Sequence, residues 1–305
     1  MKMRIVLAGG SGFIGKSLTP LLLARNYEVV VLTRSASTQR ADVRYAQWDG
    51  KTIGEWAQCI DGAAAVVNLT GRSVNCRHTA ESRREIIESR VNSVRVLGEA
   101  MTKCAHPPKV FVQAAGIGIY GDGGDRWCDE NAPHGNDFIA EVCKRWEAAF
   151  DALEVPGTRK VLLRLGVVLG PNGGFLKVLS RLTRFFLGGQ VGDGQQFISW
   201  IHIADLNCAI RWTIEREDVA GVFNATSPNP VRNADFMREL RGVLRRPWTP
   251  PVPKWAARIG SWLMKTEASL AFVSQRAIPK HLLESGFKFE FPEPRPALAN
   301  IFPSP

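Results

Sequence analysis

The chain has 305 residues, 45% of them hydrophobic and 22% charged, a balance ordinary for a globular fold, so disorder is not the default and one large α/β unit or a main domain carrying a smaller one is expected. The formal charge of +10 attracts anions, but the cations are dispersed without long like-charge runs, so nucleic acid is not an expected partner. No apolar run reaches the ~20 residues of a membrane helix; the six cysteines form no CxxC pair and the five histidines no ligand spacing, so a cytoplasmic protein without a metal and without integral membrane association is expected.

In chain order, Arg4 to Ala8 is a short apolar run that meets Gly9-Gly10-Ser11-Gly12, and a helical pattern through Leu18, Leu21, Leu22 and Leu23 follows, ending near Asn26. A valine-rich strand, Glu28 to Leu32, comes next. Further strands are expected at Ala64 to Leu69, Lys109 to Ala114 and Val161 to Val168, with helices from about Glu81 to Lys103 and from Phe138 to Leu153 between them. Alternating strands and helices imply parallel pairing and right-handed crossovers, hence a Rossmann-type, doubly wound α/β sheet. Gly170 to Gly174 and Gly188 to Gly194 read as loops, and the proline cluster 247–253 belongs to a smaller C-terminal region on the substrate side. The expected division is a nucleotide-binding domain over 1–170, with 200–226 returning to it, and a smaller region over 171–305.

Gly9, Gly12 and Gly15 give a GxxGxxG spacing between a strand and a helix. The first glycine allows the tight turn, the second lets a pyrophosphate approach the main chain, and the third lets helix and strand pack closely. The helix N-terminus then presents free N–H groups to the phosphates. NAD sites usually carry a carboxylate at the end of the second strand for the ribose 2′-hydroxyl. Here Thr33-Arg34-Ser35 stands there, with no Asp or Glu between Glu28 and Asp42. The planar cation of Arg34 suits a 2′-phosphate, so the expected cofactor is NADP.

These residues resemble the extended short-chain dehydrogenase/reductase superfamily, the sugar-nucleotide epimerases and dehydratases. The likeness runs through Gly9-Gly10-Ser11-Gly12-Phe13-Ile14-Gly15, Asn68-Leu69-Thr70-Gly71, Ile119-Tyr120-Gly121, the run from Leu163 to Gly170, and Trp200 to Leu206. Cys143-Lys144-Arg145-Trp146-Glu147, Leu187-Gly188-Gly189 with Gly192-Asp193-Gly194, and Gln275 to Pro279 leading to Gly286-Phe287 are similar to an atypical subfamily labelled only "epimerase family protein". The resemblance implies cofactor contacts at Gly9, Ser11, Gly12, Phe13, Ile14 and Gly15, at Thr33 and Arg34, at Leu69, Thr70 and Gly71, at Arg90 in the long helix and near Val168, with Glu85 a further candidate.

The superfamily's proton transfer uses a tyrosine and, four residues later, a lysine that lowers its pKa. A tyrosine alone, with a pKa near ~10, is a poor base at neutral pH. The three tyrosines, Tyr27, Tyr45 and Tyr120, are followed at that spacing by Val31, Asp49 and Gly124. Aligned on Glu147, the tyrosine place holds Ile139 and the lysine place Cys143. The usual Ser/Thr partner is also absent, since Ala114-Ala115-Gly116-Ile117 occupies its stretch. Substitutes are Tyr120 as proton donor, Lys144 as cation, Cys143 as a thiol facing the nicotinamide, or His202 and Asp205; each also has a purely structural reading.

Towards the C-terminus, Trp255, Ile259, Trp262 and Leu263 share one face of a helix, and Lys254, Arg258 and Lys265 another. That apolar face is expected to cover the substrate cleft or a subunit contact, with an anionic membrane surface as the alternative. The glycines before Trp200 suit either a mobile lid or a static loop. Two functions stay open: an NADP-dependent oxidoreductase or epimerase-like enzyme with rearranged proton transfer, acting on an unidentified small molecule, or a non-catalytic NADP(H)-binding or redox-sensing protein.

Overall fold

The computed structural model describes residues 2–35, 40–171, 173–263 and 267–303. Lys265, assigned above to a helix face, lies outside them. The first half alternates β1 (Arg4–Ala8), α1 (Phe13–Ala24), β2 (Glu28–Thr33), β3 (Arg44–Gln47), β4 (Ala65–Asn68), α2 (Ala80–Thr102), β5 (Val110–Gly116), β6 (Trp127–Cys128), α3 (Phe138–Asp151) and β7 (Arg159–Leu165). Beyond it come β8 (Val167–Leu169), α4 (Gly174–Arg184), β9 (Phe197–Ile198), β10 (Trp200–His202), α5 (Ile203–Glu215), β11 (Gly221–Ala225), β12 (Val231–Arg232), α6 (Asn233–Val243), α7 (Lys254–Leu263), β13 (Arg276–Ala277), α8 (Lys280–Glu284) and α9 (Pro294–Ile301).

The central sheet has seven strands in the order β11-β7-β5-β4-β1-β2-β3, and every pairing is parallel. β1 has no polar alternation because helices cover both of its faces. Ile5 and Leu7 pack with Leu18, Leu22, Leu206 and Ile210 on one side. Val6 and Ala8 pack with Val94, Leu97, Met101 and Phe150 on the other. From β1 the chain winds outward to β2 and β3, then returns to β4 and winds the opposite way. That reversal opens a crevice at the carboxyl ends of β1 and β4, where open α/β sheets hold their ligands.

The strand expected from Val161 to Val168 is two strands in different sheets. β7 stays in the central sheet beside β11, whereas β8 pairs with β10. Gly166 is the break: a Cβ there would lie 2.8 Å from the Ser199 carbonyl oxygen, so only glycine lets the two backbones pass. The C-terminal part has its own core of Leu169, Leu176, Trp200, Phe236, Met237, Leu240, Leu298 and Ile301, from β8, β10, α4, α6 and α9. The end of α7 reaches the segment after β4, where Arg77 donates to the Trp262 carbonyl at 2.9 Å and lies over the Trp262 ring. Trp255, Ile259 and Trp262 are 66%, 53% and 64% exposed.

Candidate functional site

The glycine turn lies at the crevice. Gly9, at the end of β1, has φ +74°, and a Cβ on it would come within 3.1 Å of the Leu69 carbonyl and the Thr70 nitrogen beyond β4. A Cβ on Gly15 would lie 2.3 Å from the Gly10 carbonyl oxygen, so the third glycine is set by helix-to-turn packing. Ser11 and Gly12 are exposed, and Gly12 begins α1 without a side-chain cap. The free N–H groups of that helix end therefore face outward, a ready anion site. Phe13 packs instead against Gly170, Gly173 and Gly174, where a Cβ on Gly173 would overlap its ring at 2.1 Å, and Ile14 joins the core beneath α1.

The second-strand residues part company. Thr33 is buried and donates its hydroxyl to Ser11 Oγ at 3.1 Å, tying the β2 end to the turn. Arg34 is exposed and has no carboxylate partner among the described residues. It lines an open groove of about 780 Å³ with Gln47, Trp48, Asp49, Thr52 and Trp56. The Asp49 carboxylate is held down to about 2 by the Thr52 and Lys51 amides and the Thr52 hydroxyl.

At the β4 end, buried Asn68 donates to Gln113 Oε1 (2.9 Å) and Ser93 Oγ (3.1 Å), while its Oδ1 accepts the Thr70 N–H (3.1 Å). This holds Leu69-Thr70-Gly71 against the glycine turn and leaves the buried Thr70 Oγ1 without a partner among the described residues. A buried hydroxyl of this kind calls for an outside partner. Arg90 lies against Gly71, donates to the Arg72 and Ile86 carbonyls and stacks 4.9 Å from the Trp146 ring. Its burial lowers the guanidinium pKa, and no carboxylate faces it among the described residues. Glu85 is paired with Arg72. Val168, in β8, is half-buried with its carbonyl 3.4 Å from a Cβ placed on Gly174.

The catalytic candidates are placed differently. Tyr120 is 1% exposed; its hydroxyl donates to Asn224 Oδ1 at 2.7 Å and accepts from Arg164 Nη1 at 2.9 Å. Burial pushes it up to about 12 despite the cation beside it, so its proton stays on. Cys143 is 4% exposed among Ile117, Ile119, Tyr120, Cys128 and Ala277, and burial raises its thiol to about 12, which keeps it protonated at neutral pH. Lys144, the next residue on α3, is half-buried and carries no ion pair among the described residues. His202 caps α5, accepting the Ala204 N–H at Nδ1 (3.2 Å), and the Asp205 carboxylate accepts the Glu290 and Phe291 amides (2.8 and 3.0 Å).

A polar network that the sequence did not announce surrounds Tyr120. Arg164 on β7 holds Glu147 on α3 through two hydrogen bonds of 2.9 and 2.8 Å, both residues being buried, and also donates to the Glu130 carbonyl at 2.9 Å. The Glu130 carboxylate accepts the Asn224 and His281 amides. Glu147 and Arg164 both lie in motifs quoted above, but nothing in their spacing marked them as partners.

Residues 5–225 match the NAD dependent epimerase/dehydratase family, and residues 252–301 match a domain of unknown function, DUF1731. The Arabidopsis thaliana chloroplastic homologue of epimerase family protein SDR39U1 is 36% identical over 98% of this chain and 87% of its own. The human SDR39U1 protein is 35% identical, with 98% and 99% covered. The crystal structure of human SDR39U1, isoform 2, with NADPH superposes with a TM-score of 0.85 at 32% identity, over 98% of this chain and 99% of that one. A nucleoside-diphosphate sugar epimerase structure from Corynebacterium glutamicum gives 0.79 at 30% identity, over 99% of this chain and 58% of that one. The glycine turn at the switch point, the family match over residues 5–225 and the full-length similarity to these proteins place the chain in the NAD dependent epimerase/dehydratase family, among its epimerase family proteins.

Proposed function

We propose that the chain binds NADP(H) across the β1–β4 crevice and acts as an oxidoreductase or epimerase-like enzyme on a small molecule, without the Tyr-x-x-x-Lys pair. The observation that carries the cofactor reading is Arg34, which closes β2 on an open groove where a carboxylate would select NAD. Three further features fit the dinucleotide: the uncapped α1 end for its pyrophosphate, the orphaned Thr70 hydroxyl, and the half-buried Arg90, which no carboxylate faces among the described residues. The NADPH-bound human relative supports the same choice. When bound, the cofactor supplies hydride transfer at its nicotinamide.

The chain's own residues bind and orient. Asn68 fixes the Thr70 backbone, Thr33 fixes Ser11, and the Ile117–Ile119–Cys143 cluster excludes water from the α3 side of the crevice. Cys143 Sγ and the Tyr120 hydroxyl keep their protons at neutral pH, so neither is a base, and Lys144 is the α3 candidate for the missing cation. A second reading, a binding protein that performs no turnover, is favoured by the same immobilised Tyr120. A cytoplasmic location is supported by six cysteines without a disulfide, as in a reducing compartment.

NADPH and NADH titrated separately by fluorescence test the cofactor. Tighter NADPH binding is expected, with Arg34→Ala losing about 10- to 100-fold of it, the worth of a charge-assisted hydrogen bond, and leaving NADH nearly unchanged. A preference for NADH overturns the reading of Arg34. NADPH oxidation followed against carbonyl compounds and sugar nucleotides separates enzyme from binding protein.

A further inference from the structure

Large apolar side chains are exposed unevenly over this molecule. Of the thirteen among the described residues, nine lie in two segments: Phe175, Val178, Phe185, Phe186 and Leu187 in and after α4, and Trp248, Trp255, Ile259 and Trp262 in and before α7. The segments are joined. Val252 donates its N–H to the Gln190 carbonyl (2.8 Å) and accepts from Gly192 (2.9 Å). A Cβ on Gly189 would overlap the Pro250 carbonyl oxygen at 2.0 Å, and Arg246 stacks on the Phe186 ring at 5.1 Å. These contacts set the segment after α4 beside the segment before α7, so the two apolar stretches adjoin through Phe186 and Val252, while at the far end of α7 Arg77 lies over the Trp262 ring.

The charge of these two segments is one-sided. Between Phe175 and Gly192 the sequence has Lys177, Arg181 and Arg184 and no carboxylate. Between Glu239 and Glu267 it has six cations and again no carboxylate. The outward face of α4 shows the mixture at close range, because Lys177, Arg181 and Arg184 are exposed beside Phe175 and Val178, while Leu176, Ser180 and Thr183 are buried inward. In α7, Lys254 and Arg258 are exposed beside Trp255 and Ile259.

We infer that this α4–α7 surface docks on an anionic lipid bilayer, lying in its headgroup layer. Exposed tryptophan and phenylalanine with interleaved arginine and lysine are what that layer accepts: rings enter the boundary while cations stay with the phosphates. No helix among the described residues is long and apolar enough to cross a membrane, so the contact is peripheral. A second copy of the chain is a poorer occupant, since a two-fold contact would set the same cations against themselves without a carboxylate to answer them. The inference stands independently of the cofactor assignment.

The test is flotation of the full chain with vesicles of phosphatidylcholine alone and with about one-third phosphatidylglycerol, enough to set up a negative surface potential. The chain is expected to float with the anionic vesicles, with a blue shift of tryptophan emission, and to be released at about 0.5 M salt, where charges are screened within a few ångströms. At roughly fivefold for each basic side chain, the triple variant Lys177→Glu, Arg181→Glu, Arg258→Glu lowers partitioning by more than about 100-fold. Trp255→Ser with Phe185→Ser lowers it as well and removes the blue shift. Because these side chains are exposed, far-ultraviolet circular dichroism and the melting transition of each variant match the parent, and a third variant, Trp248→Ser, is the replacement should either fail. No flotation with anionic vesicles, equal flotation of the charge-reversed chain, a blue shift that survives Trp255→Ser with Phe185→Ser, or a solution dimer dissolved by Trp255→Ser overturns the inference.

Discussion

His202 ends β10 with its Nδ1 capping α5, its ring 4.1 Å from Phe291 and its Nε2 buried without a partner among the described residues. Burial holds it at about 4, well below the ordinary 6.5, so the folded protein carries the neutral ring. As pH falls below 6.5, the unfolded chain takes up a proton that the folded chain refuses until about 4. The stabilisation is therefore complete above pH 6.5 and lost progressively down to 4, by about 3 kcal/mol at most. His202→Asn, which keeps a capping side chain, is expected to flatten the dependence of the urea midpoint on pH within that window; an unchanged slope assigns it to other groups. Tyr120 teaches the complementary lesson. A tyrosine in an Ile-Tyr-Gly motif invites a proton-donor role, but its hydroxyl is committed to Asn224, 104 residues away, and to Arg164. No local spacing could announce either bond.

At the scale of elements, α3 is joined to the sheet by the Glu147–Arg164 pair, with β11 drawn in through Tyr120 and Asn224. Removing one member of a buried ion pair strands the other charge, at roughly 3–5 kcal/mol, whereas replacing both with apolar side chains of similar volume is often neutral. Glu147→Gln is thus expected to lower stability strongly, and Glu147→Leu with Arg164→Met to recover most of the loss. A double variant as unstable as the single one would show that the pair contributes beyond charge balance, through Tyr120 or Glu130. The elements themselves were legible to unequal degrees. α2 and α3 stood out by periodicity, and their N-caps Thr79 and Asp137 accept the Ser82 and Ala140 amides as helix starts require. β3, four residues long with exposed or half-buried side chains, carries almost no pattern and is held by its pairing to β2.

Over the whole molecule, the C-terminal region is fastened back onto the Rossmann sheet by Leu282 and Phe287, which join its core, and by polar contacts. Asp205 on α5 accepts the Glu290 and Phe291 amides, Ser227 donates its hydroxyl to the Pro292 carbonyl at 2.7 Å, and Asn229 donates to Glu293 Oε1 at 2.6 Å. Burial raises the Asp205 carboxyl while the two amides pull against it. Asp205→Ala leaves both amides unanswered, at about 1–3 kcal/mol each. Faster hydrogen exchange is expected at 290–291 and through α9 before it is seen in β1 or β4; uniform acceleration would mean that the C-terminal region unfolds only with the sheet.

By itself the sequence determined the Rossmann half, its glycine turn, Arg34 in place of a carboxylate, and the absence of the Tyr-x-x-x-Lys pair, because each is a matter of residue type at short range: a period, a spacing, a charge at a strand end. Tertiary structure alone decided that the run from Val161 to Val168 divides at Gly166 between two sheets, that Tyr120 and Cys143 are buried and protonated, that Glu147 and Arg164 are partners, and that the segment after α4 packs beside the one before α7. Those outcomes depend on backbones and side chains far apart in sequence, such as Ser199 at Gly166 or Pro250 at Gly189, whose approach only the folded chain defines.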